Sequence, residues 1–181
     1  MDIQKSVKQA WEILTLKQPT MQAVAKDPNA LKPALIILAG ASVIAALGGF
    51  IFPSTIGMVT YRLGVLDFVV QAAVSVGLGI AVLYTTGYLA QYVFHSKLDM
   101  NGLVQVMGHA MLVSALGIFS PLSSIAGIWT LVVLCTVLHS LGKMQAGSII
   151  LLILLEILIV GVFSGILVFV GVGAGLGGMM F

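Results

Sequence analysis

Charge is scarce in this sequence: 8 lysines and arginines and 6 aspartates and glutamates make up 8% of 181 residues. A soluble globular chain carries roughly 25% charged residues, so a fully water-facing surface cannot be built from these. The net charge of +2 is small, and the basic residues form no patch beyond the amino-terminal segment, which gives nucleic acid no binding surface. Cysteine is reduced to Cys135, inside an apolar segment, which excludes an intramolecular disulfide and leaves the redox compartment unreadable. No nucleophile–base pair and no metal constellation can be assembled from the remaining side chains. The chain is therefore read as non-enzymatic, with no cofactor and no metal.

What is present is hydrophobic surface, at 60% of residues. A membrane-spanning helix needs about 20 mainly apolar residues. Five runs qualify, at about 34–52, 68–94, 103–119, 125–141 and 148–170. Pro33 sits in the first turn of the first run, where a helix accepts proline, and Pro53 closes it. The polar stretch from His95 to Gly102 ends the second. The third and fourth are short, and a single re-entrant hairpin is an alternative reading of the two. The expected fold class is all-α: a polytopic membrane protein with five transmembrane helices and an amphipathic amino-terminal cytoplasmic helix. Residues 1–32 form the leader and 33–181 the membrane domain.

Basic residues orient such a bundle, because cytoplasmic loops carry an excess of lysine and arginine. With five spans, Lys5, Lys8, Lys17, Lys26, Lys32, Lys97 and Lys143 share one side and Arg62 stands alone on the other. That division predicts a cytoplasmic amino terminus and an external carboxy terminus. There is no cleavable signal pattern before the first apolar run, so an inner-type membrane, plasma or cytoplasmic, is expected. In the leader, Ile3, Val7, Trp11 and Leu14 recur at helical spacing among Lys5, Lys8, Gln9 and Glu12. This is an amphipathic helix, suited to the membrane surface, to the base of the bundle or to a cytosolic partner, with Trp11 at headgroup level. A further short helical turn is expected at residues 20–26, after Pro19.

Glu156 is the lone charge between Gly147 and the carboxy terminus. A carboxylate within a span is costly and marks a function or a paired contact. It can be a protonated group bonded to a neighbouring helix, or part of a proton or cation relay. His139, near the inner end of the fourth span, is its expected partner, because the short connection makes those spans antiparallel neighbours. His109 lies about two turns into the third span. Histidines in a membrane can hold a haem or chlorophyll, but no His pair stands at i, i+4 and no Cys-x-x-Cys-His occurs. Arg62 and Asp67 bracket the outer start of the second span. Tyr84, Tyr88 and Tyr92 stripe one of its faces. Gly161 and Gly165 form a small-xxx-small pair suited to close helix contact. The letters Gly173-x-Gly175-x-x-Gly178 match a dinucleotide fingerprint, but no strand precedes them, so that meaning is rejected.

Several stretches carry a resemblance. The leader from Leu14 to Pro28 reads Leu-Thr-Leu-Lys-Gln-Pro-Thr-Met-Gln-Ala-Val-Ala-Lys-Asp-Pro. Residues Asn101 to Ala110 read Asn-Gly-Leu-Val-Gln-Val-Met-Gly-His-Ala, with Pro121 beyond them. The fourth run opens with Ile128-Trp129 and closes near His139. In this order they resemble the Yip1 domain family in its prokaryotic branch, over nearly the whole chain. The resemblance implies five helices, a cytoplasmic amino terminus and a trafficking scaffold. Eukaryotic members bind small GTPases through a longer cytosolic segment, so that activity is not carried over to this short leader. The expected function is a membrane scaffold or accessory subunit whose partners are the bilayer and other membrane proteins or further copies of itself. A small transporter using Glu156 and His139 is the first alternative. A cofactor-holding subunit of an electron-transfer complex is the second.

Overall fold

The computed structural model describes the backbone of residues 3–52, 54–56, 59–61 and 64–178, and the side chains of residues 3–52, 64–119 and 121–162. Helices carry almost all of it. The leader forms α1 (Ile3–Leu14) and α2 (Gln18–Lys26), with Pro19 in the first turn of α2. The bundle begins with α3 (Leu31–Ile51). An unanticipated antiparallel ribbon follows, β1 (Ser54–Ile56) and β2 (Val59–Tyr61), pairing Ser54 with Tyr61 and Ile56 with Val59. Its β-branched residues favour a pleated backbone. Next comes α4 (Val65–Tyr88), whose Asp67 accepts a 3.0 Å bond from the Gly64 N–H and closes the first turn. It continues into a π turn over Leu89–Val93. Then α5 (Met100–Ala110), capped by the Asp99 carboxylate on Gly102 N–H at 3.2 Å, runs on as a 3-10 stretch over Met111–Ile118. The last two helices are α6 (Ser120–Ser140) and α7 (Ala146–Gly178).

Among the described residues, four helical segments are long and apolar enough to cross a membrane: Leu31–Ile51, Val65–Val93, Met100–Ile118 and Pro121–Ser140. They begin three to four residues before the expected spans, because each helix includes a polar or proline-bearing first turn. The third segment has only 19 residues. Its 3-10 part rises about 2.0 Å per residue against about 1.5 Å in an α-helix. It therefore reaches about 32 Å, enough for a hydrocarbon core of about 30 Å. The third and fourth segments, for which a re-entrant hairpin is the alternative reading, are each long enough to cross alone.

The core centres on α5, which α1, α2, α3, α4 and α6 enclose. Its run Gly102–Ala110 is buried on every side. The closest approach is made by α3. An added Cβ on Gly108 would stand 2.8 Å from Ala34 Cβ, and one on Gly48 would stand 2.5 Å from the Ile118 carbonyl oxygen. Small residues let membrane helices meet this closely. Gly161, expected at such a contact, has nothing within 4 Å of an added Cβ. The close contacts lie at Gly48 and Gly108 because α3 packs on the central segment, whereas α7 packs at the rim, against α4 and α6. Gly165 and the glycine-rich tail lie outside the residues whose side chains are described.

The apolar stripe of the leader divides, with Leu14 facing inward and Ile3, Val7 and Trp11 outward. Ser6, Ala10, Ile13 and Leu14 are buried, whereas Ile3 and Trp11 are 64% and 65% exposed and Val7 also points outward. Small Ser6 and Ala10 allow α1 to lie close to α5, so the bulky stripe turns away from the protein. The indole of Trp129, near the middle of α6, donates to the Leu14 carbonyl at 3.0 Å and fixes the end of α1.

Candidate functional site

Thr86 and Glu156 form a polar contact between α4 and α7. Thr86 is 1% exposed on α4, and its hydroxyl lies 2.8 Å from the Val82 carbonyl one turn back. This is the usual way a threonine satisfies itself inside an apolar helix. The same hydroxyl hydrogen-bonds Glu156 Oε1 on α7. Around the pair the walls are apolar. A cavity of about 430 Å³ on one side is lined by residues including Leu83, Met107, Leu134 and Ile153. A second, of about 190 Å³, is lined by residues including Leu78, Ala81 and Ile159.

His139 is not bonded to Glu156. Its Nδ1 lies 3.2 Å from the Met144 carbonyl in the turn between α6 and α7. A carbonyl only accepts, so Nδ1 carries the proton there. Depth explains the correction. His139 is one residue from the end of α6, whereas Glu156 is ten residues into α7, about 15 Å deeper at about 1.5 Å per residue. Thr86, seven residues before the end of the π turn, lies about 10 Å in and is the better match.

His109 is fully buried, with Nδ1 2.7 Å from the Gln105 carbonyl, and neither its Nε2 nor Gln105 Oε1 has a partner. No metal-ligand set forms around it: among the described residues, no group of three His, Cys, Asp or Glu side chains converges as metal ligands do. The tyrosine stripe splits. Tyr84 packs against the core, while Tyr88 and Tyr92 are exposed with ring centroids 4.9 Å apart. Arg62 lies outside the described residues, and Asp67 serves the first turn of α4.

No family model matches the chain, and neither a curated protein nor a solved structure matches it. Function is therefore read from the residues themselves. Those that sequence reasoning missed are Thr86 and the Trp129–Leu14 bond. Thr86 had a signal, since it lies near Glu156 in depth; a contact across 115 positions had none.

Outside the spans, Thr20 donates to Glu12 Oε2 at 2.7 Å, and Lys17 Nζ stands 3.5 Å from Oε1. The hydroxyl bond first, then the lysine charge, hold the Glu12 carboxyl below the usual glutamate range. These contacts tie α1 to α2.

Proposed function

We propose that the chain is a non-enzymatic membrane scaffold or accessory subunit of the Yip1 type, working through helix packing and partner recruitment. In this reading it spans five times, with α7 as the last span, and lies in an inner-type membrane with its amino terminus cytoplasmic and its carboxy terminus outside. The 33 residues of α7 extend about 50 Å, more than a bilayer core.

The observation that carries the reading is the bond between Thr86 and Glu156. A hydroxyl has one proton to give. The Thr86 hydroxyl lies within reach of both the Val82 carbonyl and Glu156 Oε1 and can give its proton to either. A carboxyl bonded across two helices, between apolar walls, is interhelical glue. Ile150, Leu154, Ile157 and Leu158 leave an exposed apolar flank on α7, suited to lipid or to another membrane helix. The test is proton flux into vesicles reconstituted with wild type and with Glu156→Gln, beside mass spectrometry of what co-purifies in mild detergent. The scaffold reading expects no flux from either protein and a stable membrane partner or self-assembly. A wild-type flux abolished by Glu156→Gln, with folding intact, overturns it in favour of the transporter.

A further inference from the structure

We propose that the leader-side end of the bundle holds a binding site for the phosphate of an anionic lipid headgroup. Lys26 at the end of α2, Lys97 in the turn after α4 and Lys143 in the turn after α6 line one concavity of about 340 Å³. They come from three segments far apart in sequence, so the fold is what brings them together. Asp99 shares the concavity, but its carboxylate accepts from Gly102 N–H at 3.2 Å and is turned to its own helix end. Three lysines against one aspartate leave a formal +2 in the lining (3 − 1). Lys17 pairs with Glu12, whereas among the described residues none of these three lysines joins an ion pair.

The site is built rather than scattered. The Lys97 N–H donates to the Gly142 carbonyl at 2.9 Å, which locks the two turns side by side. Gly142 leaves no room for a side chain, since an added Cβ would stand 2.6 Å from both Leu138 O and Ser96 Oγ. The next residue, Lys143, has φ 55°, a left-handed conformation that a lysine rarely adopts. The depth is that of headgroups: Lys97 follows a helix ending at Val93, and Lys143 follows one ending at Ser140. Basic pockets between spans at the cytoplasmic surface bind anionic headgroups, and an ammonium group offers three donors to phosphate oxygens. The inference rests on the chain being a membrane protein, but not on its being a scaffold.

The experiment is native mass spectrometry of the whole chain released from an uncharged detergent. It is titrated separately with dioctanoyl-phosphatidylglycerol, dioctanoyl-phosphatidylcholine and inorganic phosphate. Phosphatidylglycerol should bind saturably and more tightly than phosphatidylcholine, and more weakly as salt is added. Each single change, Lys26→Gln, Lys97→Gln or Lys143→Gln, should weaken it about fivefold, and all three about a hundredfold. The same three positions changed to arginine keep the charge and should keep the affinity, whereas Lys8→Gln should have no effect. Equal affinity for the two lipids, or wild-type affinity in the triple glutamine variant, overturns the proposal. So does inorganic phosphate binding as tightly as phosphatidylglycerol, which would make this a site for free phosphate. Loss of affinity in the arginine variant would overturn it too.

Discussion

Thr86→Val isolates the bond between α4 and α7. It removes one hydroxyl and keeps the branched shape, at a position 1% exposed. The Val82 carbonyl keeps its helical N–H partner, so its loss is small. Glu156 loses its partner among apolar walls. Hydrogen bonds between membrane helices average about 0.6 kcal/mol and reach about 1.7, and a buried partner left unpaired costs more than the mean. The expected destabilisation is therefore about 1 kcal/mol. Glu156→Leu removes the polar group and its burial cost together, and Thr86 still bonds Val82, so this change should be close to neutral. In the Glu156→Leu background, Thr86→Val has no partner left to orphan and should cost little. The coupling between the two positions should thus be about 1 kcal/mol, within the range of contacting pairs. Glu156→Gln keeps a donor and should behave as wild type. Reversible unfolding by sodium dodecyl sulfate in mixed micelles, followed by tryptophan fluorescence, measures each variant. If Thr86→Val costs the same with and without Glu156, the two residues are not bonded and the assignment of Glu156 as glue is lost.

Single cysteines placed by Asp2→Cys and Gly178→Cys, in a Cys135→Ala background, should label from opposite sides of sealed vesicles; labelling of both from one side would refute five spans. Gly48→Ala must push two backbones apart, because its Cβ would stand 2.5 Å from Ile118 O, and should cost about 1–3 kcal/mol. Gly161→Ala meets nothing within 4 Å and should be neutral or stabilising by up to about 1 kcal/mol; the reverse order of the two in the same unfolding assay would contradict the packing. Because Thr20 and Lys17 hold Glu12 below its ordinary range, its contribution is complete at neutral pH and is lost as pH falls through the folded titration. Protease access to the leader should rise over that acid range, and Thr20→Val should move the rise to higher pH; an unmoved profile would show that the hydroxyl is not responsible.

The apolar runs were legible because a bilayer leaves the backbone few choices. Their starts were less so. Spans read from the first apolar residue miss the polar turn that supplies the cap, as Asp99 does for α5. Pro19 pointed to the helix at residues 20–26, but α2 begins two residues earlier, at Gln18, and takes Pro19 into its first turn. Periodicity found α1 but left open which way its apolar stripe turns; size rather than hydropathy decided what lies against α5, since Ala10 fits where Trp11 does not. Glu156 was legible as the residue that needs a partner. Its partner was not, since a short connection says which helices are neighbours and only a count of rises says which residues are level. The lysines were counted as a sidedness signal, but their convergence depends on the Lys97–Gly142 bond, which joins turns 45 residues apart.

The overwound second half of the third span also has a mechanical meaning. Rewinding its eight residues, Met111–Ile118, as α-helix would shorten the segment by about 4 Å and rotate its end by roughly 160°. That length is comparable to the thickness difference between cellular bilayers. A thinner membrane would therefore press on this segment toward the α form. Gly48 opposes the rotation, because its backbone lies against Ile118. The stretch behaves as a drawn-out spring with one end clamped, and the load on it is set by the lipid around it.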